Sequence, residues 1–295
     1  MSRSRLHPFF LFIVIVLAVP LRSLRAEPAP LDAAIALYNA HRAAEAIEPL
    51  KAIIAREPKN VSALWYLGRC LLKTQNREAA ADTLAKAVAL SPNDPKILAD
   101  YGTANLLHAT ELGHTFGAIF YARRGRNALE QAVKLSPDTI AYREGLIQFY
   151  TRAPSFAGGD LDKAYVHIAE IAKRDPARGT VIKATTLCSE KRYDEALAAC
   201  EDFLREQPDN YLGLYTLGRI ASETGRDLAK GEQALRRCLQ ITPRTEEPDH
   251  AGAHYRLGLI YEKDHRPDEA RTEFKAALAL EPVFPEATEA LTRLK

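Results

Sequence analysis

"HYRLGLIYEKDHRPDEA", residues 254–270, reads as two helical stretches joined by a polar turn. Its decisive feature is Gly258, followed three residues later by Tyr261 and twelve later by Ala270. A glycine inside a lone helix is a loss of ~1 kcal/mol relative to alanine. The timing makes sense if the missing side chain lets a second helix, carrying Ala270, pack closely on the first. The stretch is therefore read as a helix hairpin with Gly258 and Ala270 on two sides of one contact.

The same skeleton recurs along the chain. "LWYLGRCLL" (64–72), "LADYGTANLL" (98–107) and "LYTLGRIAS" (214–222) place Gly68, Gly102 and Gly218 as 254–262 places Gly258. Ala46, Ala80, Ala164, Ala196 and Ala270 mark the second helix, with Leu84, Leu129, Cys200, Leu235 and Phe274 four residues on along one face. Prolines read as closing each pair stand at 58, 92, 137, 176, 208, 243 and 282, with gaps of 34, 45, 39, 32, 35 and 39 residues. Asn60, Asp94 (before Pro95) and Asn210 are suited to cap the helices that follow. A fixed period of this length signals stacked helical repeats.

The skeleton resembles the tetratricopeptide repeat (TPR) family over roughly residues 27–284. The resemblance implies an all-α, right-handed superhelical solenoid of about seven hairpins, with units at 27–60, 61–94, 95–139, 140–176, 177–210, 211–245 and 251–284. Residues 285–295 then read as a capping helix over the last hairpin. Four departures stand out: Ile147 and Ala184 replace the first-helix glycine, and Gly125 and Gly231 replace the second-helix alanine.

Three places break the spacing. The stretch 109–125 lengthens the third unit by eleven residues and, with Ile119, Phe120 and Ala122, extends its helices. "RAPSFAGGD" (152–160) enlarges the fourth, with Pro154 stopping one helix, Gly158–Gly159 permitting left-handed backbone and Asp160 capping the next. A phosphate cradle there lacks the Lys-Ser/Thr and the strand such loops require. The polar "RTEEPDH" (244–250) separates the last two units.

At the N-terminus, Arg3 and Arg5 precede an apolar run from Phe9 to Val19, too short to span a bilayer comfortably, which takes ~20 apolar residues. This reads as a secretory signal over residues 1–26, with cleavage near Ala26; an uncleaved anchor is the alternative. Export to the periplasm or beyond is expected, with no stable membrane insertion after signal removal. Setting aside the four arginines of residues 1–26, a segment without acids, leaves 36 basic residues against 38 acidic, a net −2. That balance argues against a nucleic-acid partner. Cys70, Cys188, Cys200 and Cys238 form no CxxC and sit where small apolar residues belong, so free buried thiols are expected over a disulfide.

Chemistry is sparse. His250 and His254 share a helix face near Glu247 and Asp249, but zinc needs a third ligand and an organised surround, and His254 falls at a core position of its repeat. His108 and His114 lie across an insertion. There is no GxSxG, no HExxH and no cysteine in a catalytic setting, so the chain reads as a non-catalytic protein needing no metal or cofactor.

The resemblance further implies a concave groove lined by the first helix of each hairpin. The groove positions hold Trp65, Arg69, Thr103, Glu144, Gln148, Tyr215, Arg219, Tyr255 and Glu262. Aromatics and arginines dominate protein–protein contact energies, and arginine grips carboxylates with a fork. Trp65, Arg69, Gln148, Tyr215, Arg219 and Tyr255 are thus the expected contacts for a peptide or partner protein. Packing between repeats is the competing reading for the three aromatics. No asparagine occupies the ninth position of any first helix, against a clamp for acidic C-terminal tails. A structural adaptor acting through the inserted loops or the convex face is the alternative function.

Overall fold

The computed structural model describes residues 30–113 and 115–294. The signal-like segment and His114 lie outside the described residues. Seven antiparallel helix pairs follow one another: α1 (Pro30–Asn39) with α2 (Ala43–Arg56), α3 (Val61–Lys73) with α4 (Arg77–Leu90), and α5 (Pro95–Leu112) with α6 (Phe116–Leu135). Then come α7 (Ile140–Arg152) with α8 (Leu161–Ala172), α9 (Pro176–Ser189) with α10 (Tyr193–Glu206), α11 (Tyr211–Thr224) with α12 (Leu228–Cys238), and α13 (His250–Lys263) with α14 (Pro267–Leu280). A last helix, α15 (Pro285–Arg293), lies on α14. Every described regular element is helical, and the molecule is an all-α solenoid.

The packing logic follows the small residues, with one correction. Ala46, Ala80, Ala164, Ala196 and Ala270 are fully buried. Yet the side chain that fills the space over Gly258 is Phe274, not Ala270, and Leu84, Leu129 and Leu235 cover Gly68, Gly102 and Gly218 in the same way. The alanine lets the helices approach; the bulky residue one turn later occupies the notch. In the third hairpin Gly102 and Gly125 meet back to back, since a Cβ on either would come within 3.0 Å of the other's carbonyl oxygen.

A further correction concerns Pro176. It opens α9 at its first turn, with Asp175 accepting a hydrogen bond from the Arg178 amide at 2.9 Å. Proline suits that position because its missing N–H has no intrahelical acceptor there. Asn60, Asp94 and Asn210 do cap α3, α5 and α11, accepting from the amides of Ala63, Lys96 and Gly213 at 3.0, 2.8 and 3.1 Å.

The corner between the two helices is stereotyped in the first, second, fifth and seventh hairpins. His41, Gln75, Lys191 and His265 adopt left-handed backbone, with φ of 60°, 61°, 61° and 59°. The next amide then reaches back, Arg42 to Leu37, Asn76 to Leu71, Arg192 to Leu187 and Arg266 to Tyr261, at 2.8–2.9 Å. This is the Schellman closure of a helix end. In three of these corners the same residue starts the next helix and forks onto a glutamate one turn in: Arg42–Glu45, Arg192–Glu195 and Arg266–Glu269.

The third and fourth hairpins depart from this corner. α5 and α6 run 18 and 20 residues, against 14 or fewer for the other helices. Gly113, at φ 63°, separates them. In the fourth, α7 ends before Pro154 and a single 3-10 turn, Ser155–Ala157, follows. Of the glycine pair only Gly158 is left-handed, at φ 105°; Gly159 is required because a Cβ there would drive into the Ala153 carbonyl. Asp160 then accepts from the Lys163 amide to cap α8.

Candidate functional site

Consecutive first helices touch one another: α1 with α3, α3 with α5, α5 with α7, α9 with α11 and α11 with α13. No two second helices make a comparable contact among the described residues. Helices that crowd together on one side of a curved stack lie on its inner side, so the first helices form the inner face.

Side chains along that face are largely paired across the repeats. Trp65 Nε1 donates to Asp100 Oδ2 at 2.6 Å, joining α3 to α5. Arg69 lies 3.5 Å from the same carboxylate and sits over the rings of Tyr38 and Trp65, at 4.7 and 5.0 Å from their centroids. Burial pushes the Asp100 carboxyl up, while the Trp65 donor and Arg69 pull it back. Arg178 of α9 forks onto Glu144 of α7 at 2.6 and 2.8 Å. Arg219 of α11 donates to Thr185 of α9 at 3.1 Å and lies 3.2 Å from Glu223. Glu223 in turn takes Arg256 of α13 at 3.0 Å, and Glu262 takes Arg293 of α15 at 3.1 Å.

This arrangement assigns the expected contacts differently. Arg69 and Arg219 are held by neighbouring repeats rather than left free. Tyr215 takes the packing role: it is buried, its ring stacks on Tyr211, and its hydroxyl lies against the backbone of Gly252. Tyr255 is half-buried between Phe274 and Phe284, with centroids 5.8 and 5.0 Å away. Gln148 is exposed, as are Thr103 on α5 and Thr185 on α9. Among the described residues no side-chain hydrogen bond or ion pair bridges α5 to α7, so the polar ladder is interrupted beside Thr103 and Gln148.

Other polar groups knit the hairpins together. Tyr150 donates to Glu130 and Tyr165 to Glu190, both at 2.6 Å. Tyr261 donates to Glu232 at 2.9 Å, accepts from Arg236 at 2.6 Å, and has Arg266 over its ring at 4.2 Å. Burial first, and Glu232 second, push the Tyr261 phenol up to about 12. Tyr150 and Tyr165 were not singled out in the sequence, and Tyr261 was read only for its spacing from Gly258; the signal for all three was a glutamate in the adjoining repeat.

The two histidines are engaged separately. His250 Nε2 donates to the Ile241 carbonyl at 2.9 Å, and His254 Nδ1 donates to Glu273 at 2.6 Å. Among the described residues no group of three or more His, Cys, Asp or Glu gathers at metal-holding distance. All four thiols are free, and burial pushes those of Cys200 and Cys238 up to about 12.

The helix pairs and their inner row define a helical repeat protein. Tetratricopeptide repeat models match residues 31–95 and 251–282. The chain thus carries tetratricopeptide repeats near both ends of its helical array. A tetratricopeptide repeat protein from Parabacteroides merdae superposes with a TM-score of 0.58 and 16% identity, covering 90% of this chain and 97% of that one. The C-terminal part of a TPR-containing protein from Cytophaga hutchinsonii gives 0.53 and 13%, covering 88% and 99%. Yeast Tom70 gives 0.59 and 16%, with 90% of this chain covering 53% of that one. At these identities the likeness is one of fold. Comparison with curated proteins finds no match.

Proposed function

We propose that this chain is a non-catalytic scaffold that holds an extended segment of a partner protein against its inner face, and that it works in the periplasm or cell envelope. The TPR fold supports a protein-interaction scaffold in general. The observation that carries the finer reading is the interruption between α5 and α7. There Thr103 and Gln148 stand exposed, with Thr185, which already accepts from Arg219, one repeat further along. Short amide and hydroxyl side chains suit hydrogen bonding to a peptide backbone, and an extended segment engages such a row at regular intervals. Elsewhere the arginines and carboxylates already neutralise one another. The Arg3–Val19 pattern supports export.

The test is crosslinking and co-purification from envelope extract, comparing wild type with a Thr103→Arg, Gln148→Arg variant. Loss of a discrete partner, with helicity unchanged by circular dichroism, is the expected result. An unchanged partner set sinks the inner-face reading. N-terminal sequencing of the native protein tests export: a chain beginning just after Ala26 supports it, and one beginning at Met1 in the cytosolic fraction overturns it.

A further inference from the structure

The two insertions come together. The longer helices of the third hairpin carry α6 beyond the corners of its neighbours by roughly four to six residues, about 6–9 Å at the helical rise. The 3-10 turn of the fourth hairpin touches α6. Both insertions therefore build out the same edge of the solenoid.

That edge is apolar and basic. Phe116 is 93% exposed, Phe120 55% and Phe156 69%. Phe116 and Phe120 lie one turn apart, and Arg123 continues the same outward face of α6. Gly125, Ala128, Leu129 and Ala132 face the core. From Gly113 to Leu129 the sequence holds Arg123, Arg124 and Arg126 and no acid. Arg124 lies over the Phe120 ring at 4.5 Å. Arg123, Arg124 and the exposed Arg152 take no ion-pair partner among the described residues. Of the acids nearby, Glu130 is held by Arg126 and Tyr150 and Asp160 caps α8 beside Lys163, while Glu111 faces only His108 and Asp162 has no ion-pair partner among the described residues.

We infer that this edge docks the solenoid on an anionic lipid bilayer, with Phe116, Phe120 and Phe156 entering the headgroup boundary and Arg123, Arg124 and Arg152 meeting lipid phosphates. Exposed rings carried on two separate elements need a matching set of pockets in a protein partner, whereas a fluid interface accepts them wherever they fall. Arginines beside the rings are complementary to anionic headgroups, the combination that holds interfacial helices at membranes. The association is peripheral, since no described helix is long and apolar enough to cross.

Vesicle co-sedimentation of the purified full chain tests this, using phosphatidylcholine alone or mixed with phosphatidylglycerol. Wild type is expected to sediment with the mixed vesicles and be released by salt. A Phe116→Ser, Phe120→Ser variant and an Arg123→Glu, Arg124→Glu variant should each bind roughly tenfold or more weakly. Circular dichroism and thermal melting confirm that both variants fold. All chains share residues 1–29, so a difference between them belongs to the edge and not to the N-terminal apolar run. Equal sedimentation of wild type and variants overturns the inference, as does wild-type binding to neither vesicle. In the second case a photocrosslinker at Phe116 that captures a protein instead assigns the edge to a protein partner.

Discussion

Trp65 on α3 and Asp100 on α5 are joined by a 2.6 Å hydrogen bond across 35 residues of sequence. The bond makes the chain's single tryptophan a fastener between the second and third hairpins. Trp65→Phe keeps the ring's packing but leaves Asp100, already pushed up by burial, with Arg69 alone. The expected cost is about 1–3 kcal/mol in urea unfolding, with capture of an inner-face partner unchanged. Loss of the partner at full stability would return Trp65 to the role of a contact.

Gly218 and Gly117 make opposite predictions from one substitution. A Cβ on Gly218 would collide with the branch of Leu235, which is itself fully buried. Gly218→Ala is expected to destabilise by about 1–3 kcal/mol, the usual consequence of overfilling a core. At Gly117, in an exposed turn of α6, the nearest atoms to a new Cβ are 3.6 Å away. Gly117→Ala is expected to be neutral or to stabilise by up to ~1 kcal/mol. Thermal melts of the two variants, side by side, decide the matter.

The thiols should differ in reactivity. Cys200 and Cys238 are buried, with their thiols pushed up to about 12, and Cys70 is buried as well. Cys188 is only half-buried. Under native conditions iodoacetamide should label Cys188 first and leave the other three until the chain is denatured. Mass spectrometry of the labelled peptides reads the order directly; early labelling of Cys200 would show that the fifth hairpin opens in solution.

The Glu232 cluster sets an acid limit. Burial pushes its carboxyl up, but hydrogen bonds from Arg236, Tyr261 and Arg266 outweigh burial and leave it below the ordinary glutamate value. A depressed folded-state pKa stabilises above the unfolded value, ~4.3 for Glu, and the contribution fades as pH falls through the folded value. Wild-type urea midpoints should therefore drop steeply below about pH 4. Glu232→Gln should be less stable at neutral pH and show a flatter acid limb. Parallel limbs for the two proteins would mean that this cluster does not hold in solution.

The hairpin count was legible because glycine, alanine and proline at fixed intervals report backbone geometry that no other residue supplies. Even so, Pro176 misled, since proline stands equally well just after one helix or at the start of the next. Residue spacing placed Gly258 opposite the second helix but could not choose between Ala270 and Phe274, which share a face one turn apart. The inner row was harder to read. Family positions named Arg69, Tyr215 and Arg219 without revealing that Asp100, Gly252 and Thr185 complete them from adjoining repeats. A local pattern was overlooked as well: Arg42, Arg192 and Arg266 each precede a glutamate by three residues, marking a helix start that uses a charged fork in place of a small polar cap.

The left-handed corners at His41, Gln75, Lys191 and His265 have a consequence for engineering. A side chain in this backbone region is disfavoured by ~1–2 kcal/mol per residue, a penalty glycine escapes. All four residues are exposed, and each serves a different hairpin. Glycine at these corners should therefore raise the melting temperature stepwise, with increments that add because the sites share no neighbours. The array carries four independent thermostability dials, none on the inner row and none on the aromatic edge.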